Sequence, residues 1–138
     1  MIRIETAKPE DQLRLMELLL NNGMEYVDPV EAFMVAREGE AIVGCLRLEQ
    51  HYLRVEMIRP LVVDEVHRGR GIGRLLLERS LSRDKPTVIA ARGDAVGFYS
   101  TLGFRAANWK IIPDVQKEEC ACCPENCKCS PCPMVYNV

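Results

Sequence analysis

The sequence predicts an α/β chain in which an antiparallel meander leads into a strand–loop–helix crossover. Three observations predict it. Short runs alternate apolar and polar residues between turn residues, the pattern of strands. Leucine-rich stretches at helical spacing separate some of these runs. Between Leu61 and Arg79 an apolar run, a loop carrying Gly69, Gly71 and Gly73, and a helical pattern follow one another without a break. The expected order is β-α-β-β-β-loop-α-β-α-β.

Met1 to Thr6 alternates as a first strand. Pro9, Glu10 and Asp11 open a helix, proline tolerated in the first turn and acids favoured by the dipole. Leu13, Met16 and Leu20 give that helix one apolar face, with Leu19 beside it. Asn21, Asn22 and Gly23 end it. Met24 to Ala32 is an irregular or helical link. Phe33 to Glu38 and Ala41 to Gln50 flank Gly39-Glu40, a hairpin signal with glycine opening a two-residue turn. Leu53 to Val63 is the third strand of the meander. Its alternation puts Val55, Met57, Arg59, Leu61 and Val63 on one face, and Arg54, Glu56, Ile58, Pro60 and Val62 on the other. Pro60 has no N–H, so pairing there is expected to break or bulge.

A helix is expected from about Gly71 to Arg83, then a β-branched strand from Thr87 to Ala91. A short helix follows from Ala95 to Leu102, capped by Gly93-Asp94 and closed by Gly103. Phe104 to Ile112 is strand-like. Asp114 to Glu119 suits one helical turn, and Met134 to Val138 a last short strand.

The 138 residues suit one domain with a single substantial core. Hydrophobic residues make up 48% and charged residues 28%, an ordinary globular balance. A net charge of −2 gives no support to a nucleic-acid partner. No apolar run approaches the ~20 residues of a membrane span. The N-terminus has no apolar signal core, so a cytoplasmic protein with no membrane partner is expected.

The glycine loop carries the chemistry. Glycines let the backbone approach an anion, and the following helix N-terminus offers unpaired N–H groups and partial positive charge. Gly69-x-Gly71-x-Gly73 is one residue short of a dinucleotide fingerprint, and no lysine completes a P-loop. What remains is Arg68-x-x-Gly71-x-Gly73, preceded by Leu61-x-Val63.

Here the chain resembles the GNAT acetyltransferase superfamily, whose cofactor loop reads (Gln or Arg)-x-x-Gly-x-(Gly or Ala) after a strand ending Leu-x-Val. Ile42-Val43-Gly44 resembles a triplet common in the family's third strand. Phe98-Tyr99-x-x-x-Gly103-Phe104 resembles its helix signature. The resemblance implies a mixed central sheet with helices on both faces over residues 1–112. The Cys-rich segment 113–138 is no part of the generic family pattern and is expected as an extension packed on the same domain. It implies acetyl-CoA as co-substrate, held by Leu61, Val62, Val63, Arg68, Gly69, Arg70, Gly71, Ile72, Gly73 and Arg74. A backbone N–H of Val62 or Val63 would polarise the thioester carbonyl. In the family mechanism an amine attacks the thioester directly, and Tyr99 serves the leaving sulfur. Glu56 is the candidate general base, with Glu49 as a second. Many family members carry asparagine seven residues before the helix tyrosine. Arg92 stands there in this chain, which departs from the family's cofactor-arm contact and offers a guanidinium that suits a carboxylate or phosphate.

Cysteine use is lopsided. Cys45 lies alone in an apolar strand, whereas Cys120, Cys122, Cys123, Cys127, Cys129 and Cys132 crowd one segment. Thiolates in such a cluster suit zinc or an iron–sulfur cluster, with disulfides and free thiols as open alternatives, since the gaps match no standard ligand set. Ile112-Pro113-x-Val115, Glu119-Cys120-x-x-Cys123-Pro124 and the terminal Met134-Val135 resemble the tail of short amino-acid N-acetyltransferases of the N-acetylglutamate synthase type. That likeness implies an amino acid such as glutamate as acceptor, with Arg47, Arg54, Arg59 or Arg92 on its carboxylates. The leading expectation is therefore transfer of acetyl from acetyl-CoA to a small-molecule amine, with a homodimer left open. The alternatives are a metal-binding or redox-sensing module on an idle CoA-binding fold, and a protein or peptide acetyltransferase.

Overall fold

The computed structural model describes residues 1–51, 55–82, 84–114, 116–117, 120 and 129–137. Its strands are β1 (Ile2–Thr6), β2 (Phe33–Glu38), β3 (Ala41–His51), β4 (Val55–Val63), β5 (Thr87–Ala91), β6 (Arg105–Ala106) and β7 (Cys132–Tyr136). The α-helices are α1 (Gln12–Asn21), α2 (Ile72–Ser80) and α3 (Val96–Thr101). The strands make a mixed seven-stranded sheet in the order β1-β2-β3-β4-β5-β7-β6. Among the described residues no helix is long and apolar enough to cross a membrane. The chain divides into two compact units, Met1–Leu48 with Ile58–Leu81 and Glu49–Met57 with Ser82–Val138.

In the first unit β1 and β3 pair antiparallel with β2, with a register shift between Ala36 and Arg37. Gly39 takes φ +62° in the hairpin turn, a conformation that favours glycine. The core gathers Leu15, Leu18 and Leu19 of α1 against Phe33, Val35, Ile42, Cys45 and Val62. This corrects the expected face of α1. Leu13 and Leu20 are 80% and 75% exposed, and Met16 42%. Two leucine stripes at i, i+3 spacing overlap on this helix, and only packing decides between them. Asp11 settles it. Its carboxylate caps the Lys8 N–H at 2.8 Å and pairs with Arg37 of β2, so the turn beginning there faces inward. The Arg37 guanidinium is buried and pairs also with Glu5. Gly23, at φ +71°, closes the helix, and the N–H groups of Gly23 and Met24 return to Leu20 and Leu19.

In the second unit β4 pairs parallel with β5 at Glu56↔Thr87 and Met57↔Val88. β7 pairs antiparallel with both β5 and β6. Met57, Val88, Ile112 and Val135 form the core, with Val55 and Trp109 packed on it. The strand expected over Phe104 to Ile112 shortens to Arg105–Ala106. The Asn108 side chain accepts from the Lys110 N–H at 2.9 Å and turns Trp109–Ile111 into a 3-10 helix. Asparagine commonly draws the backbone out of a strand in this way. Beyond Pro113, Gln116 and Lys117 donate to its carbonyl as one helical turn begins.

Candidate active site

The glycine loop lies in the first unit, between β4 and α2. One 3-10 turn, Glu65–His67, precedes it. Gly69 and Gly71 take φ +80° and +78°, and Gly71 is the left-handed N-cap of α2. No side chain caps this helix. The Leu75 N–H bonds the Gly71 carbonyl, so the N–H groups of the preceding turn remain as donors. The combination presents aligned amides and the positive end of a helix, the elements of a phosphate cradle. Gly44 explains itself here. A Cβ on it would lie 3.1 Å from the Val62 carbonyl oxygen and 3.4 Å from Ile72 and Leu76, so its absence lets β3 approach β4 and α2 closely.

The loop arginines are distributed unequally. Arg68 is occupied: Nε donates to the Val63 carbonyl at 3.1 Å and NH2 to Asn22 Oδ1 at 2.6 Å. It ties the end of β4 to the end of α1. Arg70 pairs with Glu38 at 2.5 Å, and Arg74 with Glu78 one turn along α2 at 3.6 Å. Glu38 and His67 of this cluster are absent from the sequence-based expectations. No local pattern marks them, because Glu38 meets the loop only across 32 residues of chain.

Tyr99 and Glu56 lie in the second unit. Tyr99 is 5% exposed, its ring edge-on to Phe98 and Phe104 at centroid distances of 5.0 and 5.3 Å. Burial pushes its phenol above the usual range, so the hydroxyl stays protonated and able to donate at neutral pH. Gly103 takes φ +97°, and a Cβ there would press on the Tyr136 ring at 3.2 Å. That accounts for the glycine in the tyrosine-helix signature. Glu56 is 6% exposed, and its Oε2 is buried without a hydrogen-bond partner. Thr87 stands opposite in the ladder with its hydroxyl in the same condition. Buried polar atoms are nearly always paired, so two orphans on paired residues stand out.

The other candidates separate. Glu49 bonds His51 at 3.2 Å. Arg47 NH1 donates to the Arg59 carbonyl at 3.0 Å, and Arg92 sits 3.6 Å from Asp94. Arg54, Cys122, Cys123 and Cys127 lie outside the described residues. Cys120 accepts from Gln116 at 3.2 Å, Cys129 precedes β7, and Cys132 begins it. Among the described residues no three histidine, cysteine or acidic side chains come together as a metal site.

The mixed sheet with a glycine-capped helix after its fourth strand is a fold shared with solved acetyltransferases, among them a GNAT-family acetyltransferase from Staphylococcus aureus, 18% identical with a TM-score of 0.71 over 99% of this chain and 98% of that one. The family model described as the acetyltransferase (GNAT) domain matches residues 29–106, more than half of the chain. The chain belongs to the GNAT acetyltransferases and is an acetyl-CoA-dependent N-acetyltransferase. An uncharacterized N-acetyltransferase of Chlorobaculum tepidum, CT2212, is 26% identical over 122 residues, covering 86% of this chain and 79% of that one. Rv2747 from Mycobacterium tuberculosis, solved in complex with CoA and NLQ, is 19% identical with a TM-score of 0.74, over 99% of both chains. N-acetylglutamate synthase from Neisseria gonorrhoeae, solved with CoA and N-acetyl-glutamate, is 14% identical with a TM-score of 0.74. That match covers 99% of this chain, which spans only 35% of the synthase chain.

Proposed function

We propose that this acetyltransferase transfers acetyl from acetyl-CoA to the primary amine of a small molecule, an amino acid such as glutamate. The observation that carries the cofactor half is the left-handed Gly71 cap opening an α2 N-terminus that no side chain closes. In this reading the amides of the Arg68–Gly73 loop take the pyrophosphate, with Arg70 and Arg74 adding charge. Leu61, Val62 and Val63 line the cofactor arm, and the N–H of Val62 or Val63 polarises the thioester carbonyl. The amine attacks that carbonyl and the C–S bond breaks. The amine's proton passes to Glu56, and the Tyr99 hydroxyl protonates or hydrogen-bonds the departing CoA sulfur. Glu56 is supported as base by its buried, unpartnered oxygen, and Tyr99 as a neutral hydrogen-bond donor to the sulfur by its retained proton.

The amino-acid acceptor is supported by the tail's likeness to N-acetylglutamate synthase-type enzymes and by the N-acetyl-glutamate bound to the structurally similar synthase. For the Cys-rich segment, 113–138, thiolate binding of zinc or an iron–sulfur cluster stands as a proposal. Elemental analysis of anaerobically purified protein tests it, and absence of both metals ends it. The acceptor is tested by mass-spectrometric detection of acetylated products across amino acids, polyamines and peptide N-termini. Acetylated amino acids are expected. Turnover of peptides alone would replace this reading with a protein acetyltransferase, and no product with any amine would leave a CoA-binding fold without transfer.

A further inference from the structure

Glu38 is the last residue of β2, with Ile2 of β1 and Ala41 of β3 as its ladder neighbours. The turn beyond it is braced by Arg3, whose NH2 donates to the Gly39 carbonyl at 2.9 Å. Its carboxylate is therefore mounted on a backbone held from both sides. From there Oε2 accepts from Arg70 NH2 at 2.5 Å, and Oε1 lies 3.7 Å from His67 Nε2. His67 Nδ1 lies 3.6 Å from Asp64 Oδ2, and Asp64 lies 3.5 Å from Arg14 of α1. Arg70 has no comparable mount. It sits between Gly69 and Gly71, both at positive φ, with a half-exposed side chain.

We propose that Glu38 is a positioning residue for acetyl-CoA: it holds the Arg70 guanidinium through one nitrogen and leaves the remaining N–H donors of the fork to the cofactor's pyrophosphate. The inference rests on the reading of this loop as the pyrophosphate cradle. A free arginine on a glycine loop loses rotamer freedom when it takes up a phosphate; one already fixed by a rigid carboxylate loses less. The Arg70 hydrogen bond holds the Glu38 carboxyl below its ordinary range, so the partner stays ionised at neutral pH. The pair is too exposed to add much to stability, so its effect falls on binding.

A double-mutant cycle read by calorimetric titration with CoA at constant salt tests this. E38A weakens CoA binding about five- to tenfold, whereas E38Q, which keeps a carbonyl acceptor, changes it no more than about twofold. R70A costs at least as much as E38A, and E38A/R70A costs no more than R70A. In turnover the E38A loss falls on KM for acetyl-CoA rather than kcat. A role in holding the hairpin together would persist in the R70A background. Binding by E38A as tight as wild type or tighter, or an E38A loss undiminished in R70A, overturns the proposal. Should E38A fold poorly, E38S in the same cycle gives the same readout. Failure of the wild type to bind CoA defeats the loop reading itself; intact wild-type binding with no E38A effect defeats this inference alone.

Discussion

Glu56 of β4 and Thr87 of β5 stand opposite each other in the parallel ladder, and each buries an oxygen that no hydrogen bond satisfies. Neighbouring residues of a parallel ladder share a face of the sheet, so the two orphans belong to one locality. An apolar replacement of an unsatisfied buried hydroxyl is neutral or favourable. T87V should therefore leave the protein unchanged or up to about 1 kcal/mol more stable in thermal unfolding. A loss above that size would mean the hydroxyl is satisfied after all. E56Q should fold normally and lose about 10²-fold or more in kcat, the scale of a missing general base; unchanged turnover would relieve Glu56 of that role.

Tyr99 tests the opposite proton. Y99F keeps the ring and its edge-on contacts with Phe98 and Phe104 and removes only the hydroxyl. Turnover should fall about 10- to 100-fold while CoA affinity stays within about twofold. Equal losses in both would mark Tyr99 as a packing residue.

The buried pair of Arg37 and Asp11 predicts an acid-sensitive fold. The hydrogen bond from Arg37 holds the Asp11 carboxyl below its ordinary range against the opposing effect of desolvation. A depressed folded-state value contributes stability above the unfolded value near 3.9 and loses it as pH falls through the folded one. R37M, which leaves Asp11 buried and uncompensated, should cost about 3–5 kcal/mol at neutral pH in denaturant titration. In R37M/D11N much of that loss should return. A wild-type stability flat from pH 6 to pH 2 would speak against the assignment.

Gly71 separates strain from ligand contact. Its φ of +78° belongs to the left-handed region, yet a Cβ there would touch nothing within 4 Å. G71A should therefore cost about 1–2 kcal/mol of stability from backbone strain alone. CoA binding should weaken in addition, because the cradle amides depend on that conformation. Full CoA affinity in G71A would remove the loop from the pyrophosphate site.

Cys45 should be inert where other thiols react. Burial pushes its thiol up to about 12, which leaves almost no thiolate at neutral pH. Peptide mapping after brief treatment with an alkylating reagent should find Cys45 unmodified and modify it only in denaturant. Rapid labelling of the folded protein would show that the first unit opens locally.

The sequence by itself determined the backbone chemistry of this protein. Glycine at 69, 71 and 103 answers a local demand for positive φ, and the spacing of Arg68, Gly71 and Gly73 names the loop without knowledge of anything distant. Gly44 and the tyrosine helix were legible for the same reason, since short motifs encode close approaches that recur. The tertiary structure decided what depends on register and packing. It chose Leu15, Leu18 and Leu19 over the equally periodic Leu13, Met16 and Leu20, because Asp11 had to meet Arg37 on β2. It shortened the strand after Phe104 through a side-chain cap at Asn108. It joined Glu38 to Arg70 and set Glu56 opposite Thr87. Such partners lie tens of residues apart, and their meeting follows from strand pairing rather than from any pattern along the chain.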